Sequence, residues 1–83
     1  MLNEVEGWEL FDGKTKIKKE FQFKDFTSSI EFINKVANIA EEEGHHPDIK
    51  LYNYNKVCIE LWTHKIGGLH QNDFILATKI DNI

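Results

Sequence analysis

Three of the four histidines in this 83-residue chain lie in two short segments, and they are the residues best suited to chemistry. His45 and His46 precede Pro47, and His64 follows Thr63. An imidazole with its ordinary pKa of about 6.5 can donate or accept a proton near neutral pH. A cluster of imidazoles could therefore transfer protons, bind a metal ion or form structural hydrogen bonds within a loop.

Two alternating segments predict the strands that hold these histidines. Side-chain character alternates along residues 49–54 and along residues 57–62, and Asn55-Lys56 separates the two runs, which is typical of a β-hairpin. The start of one strand and the end of its antiparallel neighbour lie at the same edge of a sheet. We therefore expect His64 to lie beside the His45-His46-Pro47 loop.

The N-terminal part of the chain predicts another hairpin. Residues 7–11 are a short strand candidate, Asp12-Gly13 is a strong turn signal, and residues 15–24 alternate with period two. Lys19 falls on the apolar face of the second run, which indicates a frayed end or an edge position.

Two helices are predicted, one before and one after the C-terminal hairpin. Apolar residues recur at helical spacing over residues 26–43, with Asp25 at the N-cap and Gly44 after the last turn. The predicted buried stripe has five members, widened by four neighbours: Phe26, Ile30, Ile33, Ala37 and Ala40, with Ser29, Phe32, Val36 and Ile39. Residues 65–68 are expected to form a flexible connector, and residues 70–81 a second helix.

The element order β-β-α-β-β-α predicts a single α+β domain over residues 1–83. Its predicted architecture is a two-layer sandwich, in which two helices cover one face of a four-stranded antiparallel sheet. Val57, Ile59 and Leu61 should then face the helices, and Trp62 should face the open side. An aromatic residue there could contribute to a partner surface or to the site itself.

Composition disfavours several classes of function. The chain carries a formal net charge of −4, and all ten basic residues are lysines. Without the bidentate guanidinium group of arginine, direct binding of nucleic acid is disfavoured. The one cysteine, Cys58, excludes an internal disulfide and a multi-cysteine zinc site, and it fits a reducing compartment such as the cytosol. We expect no membrane span and, because residues 1–6 are acidic and lack an apolar core, no signal peptide.

Acidic residues near the histidines could modify their chemistry. Asp73 follows His70 by three residues, which is the capping-box spacing, so it could cap the second helix, orient a histidine or hold a substrate amine. Residues 41–43 are all glutamate and would make the surroundings of His45 and His46 more negative. Three histidines with Asp73 could also ligate a metal. Their spacing lacks the regularity that places two ligands on one face, so no metal is predicted.

Five short motifs, taken in order, resemble the pterin-4a-carbinolamine dehydratase family. They are Glu42-Glu43-Gly44-His45-His46-Pro47-Asp48, Tyr54-Asn55-Lys56-Val57, Trp62-Thr63-His64, Gly68-Leu69 and Asn72-Asp73-Phe74. The resemblance covers nearly the whole chain and implies the same α+β sandwich. It departs at His70, which stands where the family usually has a Ser or Thr, so a weaker cap is expected for the second helix.

The resemblance implies a hydro-lyase that removes water from a 4a-hydroxytetrahydropterin to give the quinonoid dihydropterin. That step regenerates the cofactor of aromatic amino acid hydroxylases. The resemblance also implies no metal or organic cofactor, and a homodimer or a tetramer made of two dimers. Carried over by position, the catalytic residues are His45, His46 and His64, and the pterin-binding residues are Pro47, Thr63, Lys65, Ile66 and Asp73. His46 and His64 are expected near the leaving hydroxyl, with His45 assisting.

The same resemblance allows a different class of function, that of a non-catalytic scaffold. Animal members bind a homeodomain transcription factor, and some bacterial relatives resemble assembly chaperones for a carbon-fixing enzyme. Such a scaffold need not keep all three histidines and Asp73, so their presence here favours the enzyme.

Overall fold

The predicted order of helices and strands is the observed one. The structure, a computed structural model, describes residues 7–13, 15–63 and 65–83. Its elements are β1 (Glu9–Phe11), β2 (Lys16–Gln22), α1 (Phe26–Glu43), β3 (Asp48–Tyr52), β4 (Lys56–Leu61) and α2 (Gln71–Asp81). The predicted α+β class is confirmed, and each boundary lies within two residues of its predicted position.

The four strands form one antiparallel sheet in the order β1-β2-β4-β3. Ile59 of β4 pairs with Lys19 of β2 on one side and with Ile49 of β3 on the other. The prediction that Lys19 marks a frayed end or an edge holds in part, because β1 pairs with Lys16–Lys18 and Lys19 is the next residue of β2, whereas β4 pairs with β2 from Ile17 to Gln22. The Lys19 ammonium is accommodated by the carboxylate of Asp81, whose Oδ1 lies 2.8 Å from Nζ.

The core lies between the sheet and the helices. The buried apolar residues of β2 and β4 are Ile17, Val57, Ile59 and Leu61, and those of the helices include Phe32, Val36, Leu76, Ala77 and Ile80. As predicted, alternate residues of β4 face the helices, because successive side chains of a strand point to opposite sides. Each buried Val, Leu, Ile or Phe stabilises the fold by about 1.5–3 kcal/mol. This packing fixes the edge of the sheet at which β3 begins and β4 ends.

Helix α1 has the predicted bounds but presents a different face to the sheet. Its buried residues are Ser29, Phe32, Val36 and Ala40, whereas Phe26 is 53% exposed. The predicted centre of the stripe was therefore wrong. Ser29 can be buried because its hydroxyl donates a hydrogen bond to the Asp25 carbonyl at 3.0 Å, and Phe32 packs against the ring of Phe21, with 4.7 Å between centroids.

The turn between β3 and β4 differs from the prediction. Lys56 pairs with Tyr52 inside the ladder, so the loop consists of residues 53–55. Asn53 and Tyr54 adopt positive φ angles of 47° and 57°. Asn55 fixes this turn to the end of β2, because its side-chain amide donates to the Phe23 carbonyl at 2.9 Å and its own carbonyl accepts from the Phe23 N–H at 2.9 Å.

Helix α2 packs on the sheet and is tied to it at its C-terminal end. The indole Nε1 of Trp8 donates to Asp81 Oδ2 at 3.0 Å, and the same carboxylate pairs with Lys19. The end of α1 is joined to α2 by an ion pair between Glu43 and Lys79. Among the described residues, no helix is both long enough and apolar enough to cross a lipid bilayer.

Candidate active site

The carboxylate of Asp73 joins the two predicted site segments. Asp73 lies in the first turn of α2 and is fully buried. Its Oδ1 lies 2.5 Å from His45 Nε2. Its Oδ2 accepts from the Thr63 hydroxyl at 2.8 Å and from the backbone N–H of His70 at 2.9 Å. The loop before β3 and the end of β4 therefore meet at one buried acid, as the hairpin topology predicted.

The burial of Asp73 has a clear physical basis. A carboxylate removed from water costs several kcal/mol unless it is paired and hydrogen-bonded. Three donors surround it, and the N-terminal end of α2 favours negative charge through the helix dipole. Two of the three roles predicted for Asp73 are observed together. Asp73 caps α2 by accepting from the His70 backbone N–H, and it contacts the His45 ring.

His45 is held from both its backbone and its ring. Gly44 ends α1 in the left-handed conformation, with a φ of 64°, and the His45 N–H then donates to the Ala40 carbonyl at 3.1 Å. The ring turns inwards to Asp73, and the His45 side chain is 15% exposed. An imidazole fixed by a buried carboxylate and still reachable from solvent is suited to proton transfer.

His46 points away from this buried pair. Its Nε2 lies 2.6 Å from the carboxylate of Glu41 in the last turn of α1, and its side chain is 65% exposed. Neighbouring residues of an extended segment face opposite sides, so only one of the two rings can be buried. The structure turns the His45 ring inwards, where it is partly buried, and leaves His46 at the solvent edge.

The segment after β4, predicted to be a flexible connector, is closed by backbone hydrogen bonds. The Thr63 N–H donates to the Gly68 carbonyl at 2.8 Å, and the Ile66 N–H donates to the Thr63 carbonyl at 3.3 Å. Gly67 supplies the positive φ of 62° that this turn needs. The predicted pterin-binding residues Lys65 and Ile66 are exposed at its tip. His64, which is predicted to be catalytic, lies outside the described residues.

Pro47 and Trp62 lie at the two sides of the same sheet edge. Pro47 is half-buried and leads directly into β3. Trp62 is half-buried, and its indole N–H donates to the Asp48 carboxylate at 3.4 Å. The ammonium of Lys16 lies 4.5 Å from the Trp62 ring centroid, a cation–π contact.

His70 caps α2 with its ring. Its Nδ1 accepts from the Asn72 N–H at 3.3 Å, which is longer than the distance of about 2.9 Å usual for such bonds. The capping-box spacing predicted that Asp73 would accept from the His70 backbone N–H, and this contact is present at 2.9 Å. Sequence reasoning did not pair Glu41 with His46, since a five-residue separation across a helix end has no standard geometry.

A surface cavity of about 370 Å³ lies on a different part of the molecule. It is lined by Gly7, Glu9, Lys18, Lys19, Glu20 and Cys58, none of which is a predicted site residue. Burial, with smaller effects from Glu60 and Glu20, raises the pKa of the Cys58 thiol from 9.0 and disfavours a reactive thiolate. We place the candidate active site at Asp73 because the groups that can move protons are there.

Metal ligation has no candidate among the described residues. No three His, Cys, Asp or Glu side chains in ranges 7–13, 15–63 and 65–83 lie together in a way that could hold a metal ion. Glu43 and Lys79 form an ion pair between the two helices. Hydrogen bonding to Glu43 raises the pKa of Lys79 from 10.5, so the Lys79 ammonium stays charged around neutral pH.

Comparisons with known proteins identify one family. The family model described as Pterin 4 alpha carbinolamine dehydratase matches residues 1–83. Over 85 aligned residues, the chain is 48% identical to "Pterin-4-alpha-carbinolamine dehydratase 2, mitochondrial" of Arabidopsis thaliana. That alignment includes all of this chain and 46% of the relative, so this chain spans less than half of the plant protein.

Solved structures of similar proteins share the fold. A "transcriptional coactivator/pterin dehydratase" from Brucella melitensis has a TM-score of 0.89 and 34% identity, over 98% of this chain and 85% of that one. A pterin dehydratase-like protein described as a RuBisCO assembly factor in the alpha-carboxysome has a TM-score of 0.78 over 95% of this chain and 90% of that one. Its identity is 21%, so it shows the fold alone.

Proposed function

This chain belongs to the pterin-4a-carbinolamine dehydratase family, and on that premise we propose that it removes water from a 4a-hydroxytetrahydropterin to give the quinonoid dihydropterin. The observation that carries the proposal is the contact of His45 and Thr63 with one buried carboxylate, that of Asp73. This contact joins the two predicted segments into one site able to move protons. Its product would feed back to an aromatic amino acid hydroxylase pathway.

The reaction breaks the C4a–O bond of the substrate and removes the proton from N5. An acid places a proton on the departing hydroxyl, which leaves as water, and a base accepts the N5 proton, so that no net charge is gained or lost. Positioned imidazoles can serve both roles, each typically contributing about 10²–10⁴-fold to the rate. We propose that His46 and His64 act near the hydroxyl and that His45, oriented by Asp73, assists.

The pterin is proposed to bind between the loop that contains Pro47 and the closed turn over residues 63–66. The exposure of Lys65 and Ile66 at the tip of that turn supports this, because both side chains are available to a ligand. The chemistry requires no metal and no organic cofactor.

The assembly is proposed to be a homodimer or a dimer of dimers. A chain of 83 residues is near the lower size at which one core suffices. Exposed apolar residues on α1, such as Phe26 and Ile30, are available for an interface. Light scattering would measure the mass. A reducing compartment such as the cytosol is proposed because Cys58 is unpaired.

The test of the proposed function follows dehydration of a chemically prepared 4a-hydroxytetrahydropterin by its change in ultraviolet absorbance. Wild-type protein should accelerate the reaction well beyond its spontaneous rate. His46→Ala and His64→Ala should each lower that acceleration by about tenfold or more. A wild-type rate equal to the spontaneous rate would contradict the proposal.

The alternative is a non-catalytic binding role. The observation that favours it is the likeness to the Brucella relative, which is described as a transcriptional coactivator as well as a pterin dehydratase. The same assay separates the two roles. A scaffold would give the spontaneous rate in wild type and in both histidine variants.

A further inference from the structure

We infer that Thr63 is a positioning residue of the proposed dehydratase site: it locks the Asp73 carboxylate so that His45 keeps its proton on Nε2 and offers Nδ1 to the substrate. The inference rests on the proposed function and deepens it in two ways. It assigns the reactive ring nitrogen of His45, and it gives Thr63 the role of orienting Asp73, at the base of the turn whose exposed tip is proposed to bind the pterin.

Asp73 is shielded from any ligand. The residue is fully buried, so the carboxylate has no surface to present to a substrate. Its Oδ1 faces His45, and its Oδ2 accepts from both Thr63 and the His70 backbone. Asp73 can therefore influence a bound pterin through the side chains that it contacts, His45 and Thr63, and not by direct contact.

The tautomer of His45 follows from its partner. A carboxylate only accepts hydrogen bonds when it is ionised, so the Nε2 atom that faces Asp73 must carry the proton. In a neutral imidazole the other nitrogen is then an acceptor. Within residues 7–13, 15–63 and 65–83, no hydrogen bond engages His45 Nδ1. This atom is thus the one that can accept a proton from N5 of the pterin.

Thr63 is built to hold the carboxylate in one orientation. Its backbone is fixed by the hydrogen bond to Gly68 at the base of the closed turn. Its β-branched side chain has few rotamers, so the hydroxyl arrives at Asp73 Oδ2 from a fixed direction. Without this donor, Oδ2 would keep only the His70 N–H, and the carboxylate could rotate away from the imidazole.

A purely pocket-lining Thr63 would behave differently. A side chain that only contacts the substrate affects the apparent affinity, and its loss raises KM. A side chain that orients His45 through Asp73 acts on the proton transfer itself, and its loss lowers kcat. The two roles also differ in the free protein, where only the positioning role affects the protonation of the His45 ring.

The test uses Thr63→Val, which keeps the shape but removes the donor, and Thr63→Ser, which keeps the donor. Nitrogen-15 NMR of the ring nitrogens is recorded without substrate, and His45→Gln identifies the His45 signals. We expect wild-type His45 as the Nε2–H tautomer and a mixture of tautomers in Thr63→Val. In the dehydration assay, Thr63→Val should lower kcat by about tenfold, which is part of the roughly 10²–10⁴-fold that a positioned acid or base contributes. The KM of Thr63→Val should stay within about twofold of the wild-type value, and its kcat–pH profile should be displaced. Thr63→Ser should show the tautomer, the kcat and the pH profile of the wild type.

The outcomes separate this inference from the proposed function. Wild-type His45 protonated on Nδ1 would overturn the inference, and so would a Thr63→Val variant that changes only KM. The wild-type spectrum does not depend on whether Thr63→Val folds. A wild-type protein without dehydratase activity would refute the proposed function. If its His45 were still the Nε2–H tautomer, and a mixture of tautomers in Thr63→Val, the positioning role of Thr63 would be supported.

Discussion

Helix α2 carries one carboxylate in its first turn and one in its last turn, and each receives two side-chain donors from other elements. The Asp73 carboxylate accepts hydrogen bonds from the Thr63 hydroxyl and the His45 ring. The Asp81 carboxylate accepts hydrogen bonds from the Trp8 indole and the Lys19 ammonium. Both acids therefore join α2 to distant parts of the chain, at opposite ends of the same helix.

The two acids differ in burial and in the chemistry of their donors. Asp73 is fully buried, whereas the Asp81 side chain is 25% exposed. An indole and an ammonium do not exchange protons with a substrate near neutral pH, but an imidazole does. The helix dipole also favours the charge of Asp73 and disfavours that of Asp81. The Asp81 cluster is therefore explained by stability alone, and the Asp73 cluster is suited to function.

The largest expected effect comes from Asp73→Asn, compared with Asp81→Asn. An asparagine at 73 would donate from its amide towards His45 Nε2 and so favour the wrong tautomer. We expect kcat for pterin dehydration to fall by about a hundredfold or more in Asp73→Asn. Asp81→Asn should keep kcat within about twofold. Circular dichroism would show that both variants are folded at the assay temperature. Equal losses of activity in the two variants would contradict the distinction drawn between these acids.

The next effect concerns stability at the Asp81 end. Trp8→Phe keeps the aromatic ring in the core but removes the N–H that Asp81 accepts. The free energy of unfolding should fall by about 1 kcal/mol, the usual net value of such a bond, without loss of kcat. Urea denaturation would measure it. Phe21→Leu, which changes a neighbouring aromatic ring without affecting this hydrogen bond, serves as a packing control.

A third carboxylate, Asp25, caps α1 and should affect stability in a way that depends on pH. Its hydrogen bond from the Ser28 N–H lowers the pKa of Asp25 below 3.8. A lowered pKa in the folded state stabilises the protein above pH 3.8, and this contribution is lost as the pH falls through the folded value. Asp25→Asn keeps a capping oxygen without the charge. The difference in thermal midpoint between wild type and Asp25→Asn should therefore be present at pH 6 and vanish in stronger acid. A constant difference across this range would show that the charge has no part in the cap.

The smallest effect is expected on the open face of the sheet. Because burial raises the pKa of the Cys58 thiol, little thiolate exists near neutral pH. Iodoacetamide should alkylate Cys58 more slowly in the native protein than in urea, and alkylation should leave dehydration unaffected. Mass spectrometry gives the extent of modification. If Cys58 were alkylated at the rate of an unfolded chain and activity were lost, the active site would lie at the cavity beside Cys58 and not at Asp73.

The sequence allowed the elements and the meeting of the two site segments to be predicted. Helix α1 was recognisable because its apolar residues recur over five turns and Asp25 and Gly44 stand at its ends. The hairpin topology predicted that His64 would lie beside the His45 loop. His64 is outside the described residues, but its neighbour Thr63 meets His45 at Asp73. Such local and topological signals can be recognised from the sequence alone.

The environment of Lys19, the buried face of α1 and the double role of Asp73 could not be fully predicted, because they depend on contacts between residues far apart in the sequence. The charge of Lys19 on the apolar face could not be explained from the sequence because its partner, Asp81, lies 62 positions further along the chain. The face of α1 was rotated because a polar residue, Ser29, is buried with its hydroxyl satisfied by its own helix. The double role of Asp73 required three separate donors to meet, and only the capping spacing to His70 was local.

The most direct test of the central claim is an experimental structure of this chain with a bound dihydropterin that lacks the 4a-hydroxyl. The account predicts that the pterin ring lies between the Pro47 loop and the turn over residues 63–66, with its N5 edge towards His45 Nδ1. A pterin bound instead in the cavity beside Cys58, remote from the Asp73 carboxylate, would contradict it.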